Sequence, residues 1–221
     1  MGRVSGLTEV PTFRRRGRAT LGQADALSRL WPALGVAVDG APLDLPALFG
    51  RHRPVALEVG FGMGEATVAF AAARPDVDVL AVEVHPPGLG SLLRLVEEHG
   101  LGNVRVADGD ARVVLRSMLQ PASLEEVRVF FPDPWPKRRH WKRRLVGAAF
   151  ADLVADRLRP GGRLHVATDW RPYAEQVRLL LGGHPAYAVL DEVPWRPFTR
   201  FEQRGIAAGR PAVDLVAVRQ H

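Results

Sequence analysis

Apolar positions along this chain fall into two alternating patterns. Short runs rich in β-branched residues, at 55–59, 77–83, 104–107, 127–131 and 163–168, read as strands. Segments 65–73, 89–99, 145–158 and 173–181 lie between or after them and place apolar residues at helical spacing. Alternation of this kind predicts a parallel sheet with helices on both faces. Two further strand-like runs, 186–193 and 213–219, have no full helix between them and are expected to pair antiparallel. Ahead of residue 55 the periodicity fades. Residues 1–18 are polar and basic and read as a mobile arm, and the stretch containing Trp31, Pro32, Pro42 and Pro46 reads as an irregular connection. The expected organisation is therefore an arm and lead-in over 1–50 and one α/β domain over 51–221.

Composition narrows the chemistry. With 221 residues, 47% of them apolar, the chain can bury one sizeable core. It has no run of about 20 apolar residues and no signal-peptide core, so a cytoplasmic location is expected and a membrane partner is not. The absence of cysteine removes disulfides, thiolate zinc sites and cysteine nucleophiles together. Seven histidines show no metal-ligand spacing, so no metal is expected. Thirty Lys and Arg against 24 Asp and Glu leave a net charge of +6, which suits a polyanionic partner.

The segment Leu57-Glu58-Val59-Gly60-Phe61-Gly62-Met63-Gly64 stands where the first strand should pass into the first helix, the edge at which open parallel sheets bind ligands. Glycines let such a turn bend sharply and bring a ligand close to backbone amides. A bare strand-to-helix turn and a dinucleotide site compete with this reading. The dinucleotide fingerprint, however, wants a sixth-position glycine where Glu65 stands, and Glu58 would repel a pyrophosphate yet receive the ammonium of a methionine moiety. Glu83 closes the second strand at the spacing expected of a ribose-binding carboxylate. Asp110, followed by Ala111, comes after the third strand, where a carboxylate can accept a bond from an adenine amine. Any one of these carboxylates alone reads as a solvated strand end. Three of them after three successive strands point to a nucleoside with a cationic amino-acid tail, S-adenosylmethionine.

Pro132-Asp133-Pro134-Trp135-Pro136 follows the fourth strand, and its prolines fix a stiff loop at the same edge. Immediately after it, Lys137-Arg138-Arg139-His140-Trp141-Lys142-Arg143-Arg144 places six Lys or Arg in eight positions. Such a run is commonly a solvated face. Its position beside the expected cofactor site, together with Arg14, Arg15, Arg16 and Arg18 in the arm, favours phosphate contacts. Trp135 and Trp141 are open to either base stacking or burial. Guanine N7 carries an in-plane lone pair and no proton, so its methylation needs alignment rather than a general base. A fixed carboxylate at Asp133 can stabilise the positive charge that develops on the purine. Asp169 ends the fifth strand and is a candidate for the guanine edge. Thr199, Arg200, Phe201 and Glu202 lie in a polar connection whose donors and acceptors suit base contacts.

Taken together, the glycine turn, Glu83-Val84-His85, the segment from Pro132 to His140, and Thr199-Arg200-Phe201-Glu202-Gln203-Arg204-Gly205 make the chain resemble the bacterial tRNA (guanine-N7)-methyltransferases over nearly its whole length. The arm Phe13-Arg14-Arg15-Arg16-Gly17-Arg18 resembles that family's N-terminus as well. The resemblance implies a class I methyltransferase (Rossmann-like) fold, with a mostly parallel seven-stranded sheet whose last strand runs antiparallel. It implies cofactor contacts at Glu58, Glu83, Asp110 and Asp133, catalysis at Asp133, and substrate contacts at Lys137, Asp169 and Thr199 to Glu202. It further implies RNA contact from Arg139, His140, Trp141, Lys142, Arg143 and Arg144, and a target guanosine in the tRNA variable loop. Two positions depart from the family pattern, Arg200 in place of a frequent lysine and Trp141 in place of a small polar residue. The competing readings are a non-catalytic tRNA-binding protein and a methyltransferase of the same fold with another substrate. Monomer and homodimer are both left open.

Overall fold

The computed structural model describes residues 17–221. Its spine is β2 (Val55–Val59), every residue of which is buried. Such a strand carries no alternation because both sheet faces are covered. Beside it lie β3 (Asp78–Glu83) and β4 (Val104–Asp108) on one side, and β5 (Leu124–Phe130) and β6 (Leu158–Thr168) on the other, all parallel. Then β8 (Val213–Arg219) runs antiparallel to β6 and also to β7 (Tyr187–Leu190) at the edge. The expected antiparallel pairing of the last two runs is thus observed.

Helices α3 (Glu65–Ala73), α4 (Pro86–Glu98), α6 (Ala148–Arg157) and α7 (Arg171–Gly182) cover the two faces. They close two apolar clusters. One contains Leu57, Val82, Val129, Leu164 and Val177; the other contains Ala56, Val79, Phe70, Leu92 and Val106. Burial of each such large side chain stabilises the fold by about 1.5–3 kcal/mol before ordering costs. Among the described residues no helix is long and apolar enough to cross a membrane.

Regular structure begins earlier than the expected start near residue 55. Helix α1 (Leu21–Leu34) opens with a capping box, in which the Gln23 amide donates to Thr20 Oγ1 and the Thr20 amide to Gln23 Oε1. Ala26 of α1 is buried against the second cluster, and Arg29 is paired with Glu97 of α4. The chain then forms β1 (Gly35–Ala37), which pairs with β4 as an eighth strand, and a short helix α2 (Leu45–Phe49). The prolines that suggested an irregular connection are accommodated locally. Pro46 lies in the first turn of α2, where an amide hydrogen is not needed, whereas Pro32 lies inside α1 near its end and forgoes one hydrogen bond of the helix. The sheet order is β1-β4-β3-β2-β5-β6-β8-β7, so the expected seven strands become eight. The connection between β7 and β8 also differs from expectation, since it contains helix α8 (Arg200–Ala207), whose N-cap Thr199 accepts from the Glu202 amide at 3.0 Å.

Candidate active site

Reversal of strand order between β2 and β5 opens a crevice at the carboxyl ends of the strands. A cavity of about 1020 Å³ fills it. Its floor is the glycine turn between β2 and α3. Gly60, Gly62 and Gly64 all have positive φ, and a Cβ at Gly60 or Gly62 would meet nothing within 4 Å, so the concave side of the turn is open. Gly64 is constrained differently, because a Cβ there would stand 2.8 Å from Leu92 of α4.

Acidic groups gather on the wall formed by β2, β3 and β4. Glu83 Oε2 accepts from the Gly62 amide at 3.0 Å, while Oε1 accepts from the Val84 and His85 amides at 2.7 and 3.2 Å. One carboxylate therefore ties the turn to the end of β3. Glu58 is 3% exposed, and its Oε2 accepts no hydrogen bond. Burial pushes its pKa up, opposed by the Arg128 guanidinium 3.9 Å away on β5. Arg128 itself is buried, lying over the Phe70 ring at 3.5 Å, and burial lowers its pKa. Asp110 caps the short α5 (Ala111–Val113), accepting from the Arg112 amide at 2.9 Å and from its guanidinium at 2.6 Å. Ala111 completes this wall.

The opposite wall is basic and aromatic. It contains Asp133, Pro134 and Trp135 of the proline loop, then Lys142, Arg143 and Arg144. Asp169, Thr199, Arg200 and Phe201 close it. Phe131 and Trp135 bracket Asp133 with φ of +52° and +43°, conformations that cost non-glycine residues about 1–3 kcal/mol and cluster at functional sites. The Phe131 amide anchors the loop by donating to the Ala167 carbonyl at 2.7 Å. Asp169 accepts from Arg210 at 3.0 Å, and Arg200 reaches across to Glu65 of α3 at 3.0 Å.

Several residues expected at the site are placed differently. Lys137, Arg139, His140 and Trp141 are outside the cavity wall, the last three in a 3₁₀ segment (Arg138–Arg143) that Lys137 immediately precedes. His140 stands edge-on to Trp135 at 5.7 Å, and desolvation together with Arg143, Arg139 and Lys137 lowers its pKa. Arg144 is buried rather than presented to solvent. Glu202 is also buried and faces away from the cavity, with both oxygens accepting from Arg196 at 2.6 and 2.8 Å. Arg196 also donates to both oxygens of Asp214, which lies 2.7 Å from His165 Nε2. Burial raises the Asp214 carboxyl, but His165 and Arg196 outweigh it and hold the group down at about 2. Arg14 and Arg15 lie outside the described residues. Gly17, the first described residue, stands against His85 and Pro87 at the lip of the cavity.

Sequence reasoning missed Arg128, Arg196, Arg210 and the Arg200–Glu65 pair. A lone arginine inside a strand run or a variable connection carries no local signal of what it will face. The alternation Glu126-Val127-Arg128-Val129 was the one available hint, since it puts two charges on one face of a strand otherwise rich in valine.

Residues 52–215 match the family model described as "Putative methyltransferase". The tRNA (guanine-N(7)-)-methyltransferase of Streptomyces avermitilis is 54% identical over 91% of this chain and 72% of its own length. Among solved structures, the 16S rRNA methyltransferase KamB superposes with a TM-score of 0.59 at 16% identity, covering 79% of this chain and 92% of its own. A Streptococcus mutans protein described as "a putative methyltransferase", in complex with SAH, superposes with a TM-score of 0.51 at 14% identity, covering 76% of this chain and 89% of its own.

Proposed function

The chain belongs to the family of tRNA (guanine-N(7)-)-methyltransferases, and from that premise we propose that its cavity transfers the methyl group of S-adenosylmethionine to N7 of a guanosine in the tRNA variable loop. It is an enzyme of methyl transfer. The observation that carries the reading is the division of one cavity into an acidic wall and a basic, aromatic one.

The acidic wall fits the methyl donor. Glu58 Oε2 is a buried acceptor without a hydrogen bond, suited to an ammonium, and the open glycine turn admits a ligand against backbone amides. Glu83 retains acceptor capacity on Oε2 for ribose hydroxyls, and Asp110 with Ala111 flanks the place for adenine. When bound, S-adenosylmethionine supplies a methyl group activated by an adjacent sulfonium. No metal-binding group of His, Asp and Glu is found among the described residues.

The basic wall fits a nucleotide of RNA. Phe201 and Phe131, with ring centroids 5.2 Å apart, offer an apolar surface for a base. Asp133, Asp169 and Thr199 supply acceptors and a hydroxyl for the guanine edge, while Lys142, Arg143 and Arg200 face phosphates. Because N7 needs no deprotonation, these residues act by holding the base in line and excluding water. Asp133 stabilises the positive charge that the purine acquires.

Incubation of the protein with methyl-labelled S-adenosylmethionine and unmodified tRNA, followed by digestion, is expected to put the label in 7-methylguanosine. Label in another nucleoside overturns the guanine-N7 assignment. Asp133→Ala is expected to lower turnover by about 10²–10³-fold with the melting temperature retained. Full turnover in that variant removes Asp133 from catalysis.

A further inference from the structure

The six Lys and Arg residues of the basic segment look equivalent in sequence, yet one of them has left the surface. Arg144 is 6% exposed, whereas Arg139, Lys142 and Arg143 are exposed. Its Nε donates to the Pro134 carbonyl at 2.8 Å and its Nη1 to Gln176 Oε1 on α7. The guanidinium is also stacked between the rings of Trp141 and Tyr173, 4.8 Å from each centroid. Tyr173 is fixed in turn, since its hydroxyl accepts from the Val146 amide at 2.9 Å. Arg144 borders the cavity, but its one nitrogen without a hydrogen bond, Nη2, is itself buried and not open to a phosphate in solution.

The carbonyl that Arg144 grips belongs to the residue following Asp133 and preceding Trp135, whose φ is +43°. A loop with a strained residue holds one conformation only where its surroundings impose it. Arg144, itself anchored to Gln176 of helix α7, supplies that restraint, and Trp141 Nε1 adds a weaker contact to the Pro136 carbonyl at 3.4 Å.

We propose that Arg144 is a positioning residue: it acts through the backbone of the 132–136 loop to hold Asp133 over the cavity, and it does not contact RNA. This rests on the reading that the loop carries the reaction. A planar guanidinium serves the carbonyl, the glutamine and two ring faces at once, and an ammonium of the same charge does not.

The decisive variant is Arg144→Lys. It is expected to lower kcat at saturating tRNA about 10- to 100-fold, as misplacement of a reacting group does, while the tRNA Kd stays within about twofold and its salt dependence is unchanged. Amide exchange across residues 131–136 should quicken in the same variant. Unchanged kcat, or a weaker Kd with a shallower salt slope, overturns the proposal. Should Arg144→Lys fail to fold, Gln176→Leu decides, since it removes one anchor outside the cavity wall. A several-fold fall in kcat with tRNA binding kept supports the restraint, and wild-type kcat overturns it. Asp133→Ala is measured alongside. If it retains full turnover, the reading of the loop fails, whereas an inactive Asp133→Ala beside a wild-type-like Arg144→Lys sinks the positioning role alone.

Discussion

On the acidic side of the cavity, Glu58 lies within β2, Glu83 ends β3 and Asp110 stands two residues beyond β4. Their positions follow from strand register, and Glu83 and Asp110 are tied to amides near them in sequence or in the adjoining turn. On the basic side, Asp133 is held by a loop with two positive-φ residues, and the 199–202 segment hangs from Arg196. The partners there come from α7, β6 and β8, some 20 to 50 residues away in several cases. The acidic wall is built by the register of adjacent parallel strands, and its ties, Gly62 to Glu83 and Arg128 to Glu58, run between neighbouring strands and their turns. The basic wall is held by loops and side-chain pairs outside that register, and it has more single points of failure.

The largest effect should come from breaking that assembly at Arg196. Arg196→Met leaves Glu202 and Asp214 without their shared cation in a buried setting, and a loss of about 3–5 kcal/mol is expected in urea unfolding. An unchanged midpoint would show that α8 is held by something else. The wild-type protein carries the same liability toward acid. Asp214 is depressed from 3.8 to about 2, so its contribution is complete above pH 3.8 and is lost as pH falls through about 2.

A smaller effect tests the acidic wall. Glu58→Gln is expected to weaken S-adenosylmethionine binding by about 2 kcal/mol, the range of a charge-assisted hydrogen bond, and to leave tRNA affinity alone. The sign with pH is set by burial. Because Glu58 is raised above 4.5 against the pull of Arg128, with Glu126 adding repulsion, its ionised form is lost while pH is still above 4.5. Cofactor affinity measured by calorimetry should therefore fall with decreasing pH in the wild type and stay flat in Glu58→Gln. Parallel curves would remove Glu58 from ammonium binding. The smallest effect belongs to the exposed rim. Arg139→Ala should weaken tRNA binding only a few-fold and reduce the salt slope by about one, in contrast to the kcat effect at Arg144. A kcat effect at Arg139 would erase the distinction drawn between the two arginines.

Much of the architecture was legible because it rests on periodicity. The strands from β2 to β6 and the helices α3, α4, α6 and α7 follow their hydrophobic patterns, and the glycine turn falls where the first strand meets its helix. Helix α1 escaped because Trp31-Pro32 resembles a break, yet the helix runs on through Pro32 to Leu34 with Ala26 buried against the second apolar cluster. Helix α8 escaped because its residues are polar and its main buried anchor is a glutamate.

What the amino-acid sequence determined alone is the alternating sheet and the carboxylates at its edge, since both depend on residues near one another along the chain. Tertiary structure decided which charges in a uniform basic run face solvent, and which acid of the 199–202 segment turns inward. Burial of a charge depends on whether a partner waits there, and the partners of Arg144 and Glu202 are brought by other elements of the fold. Six cations that read alike in one dimension are separated by that single condition into an exposed set and one buried clamp.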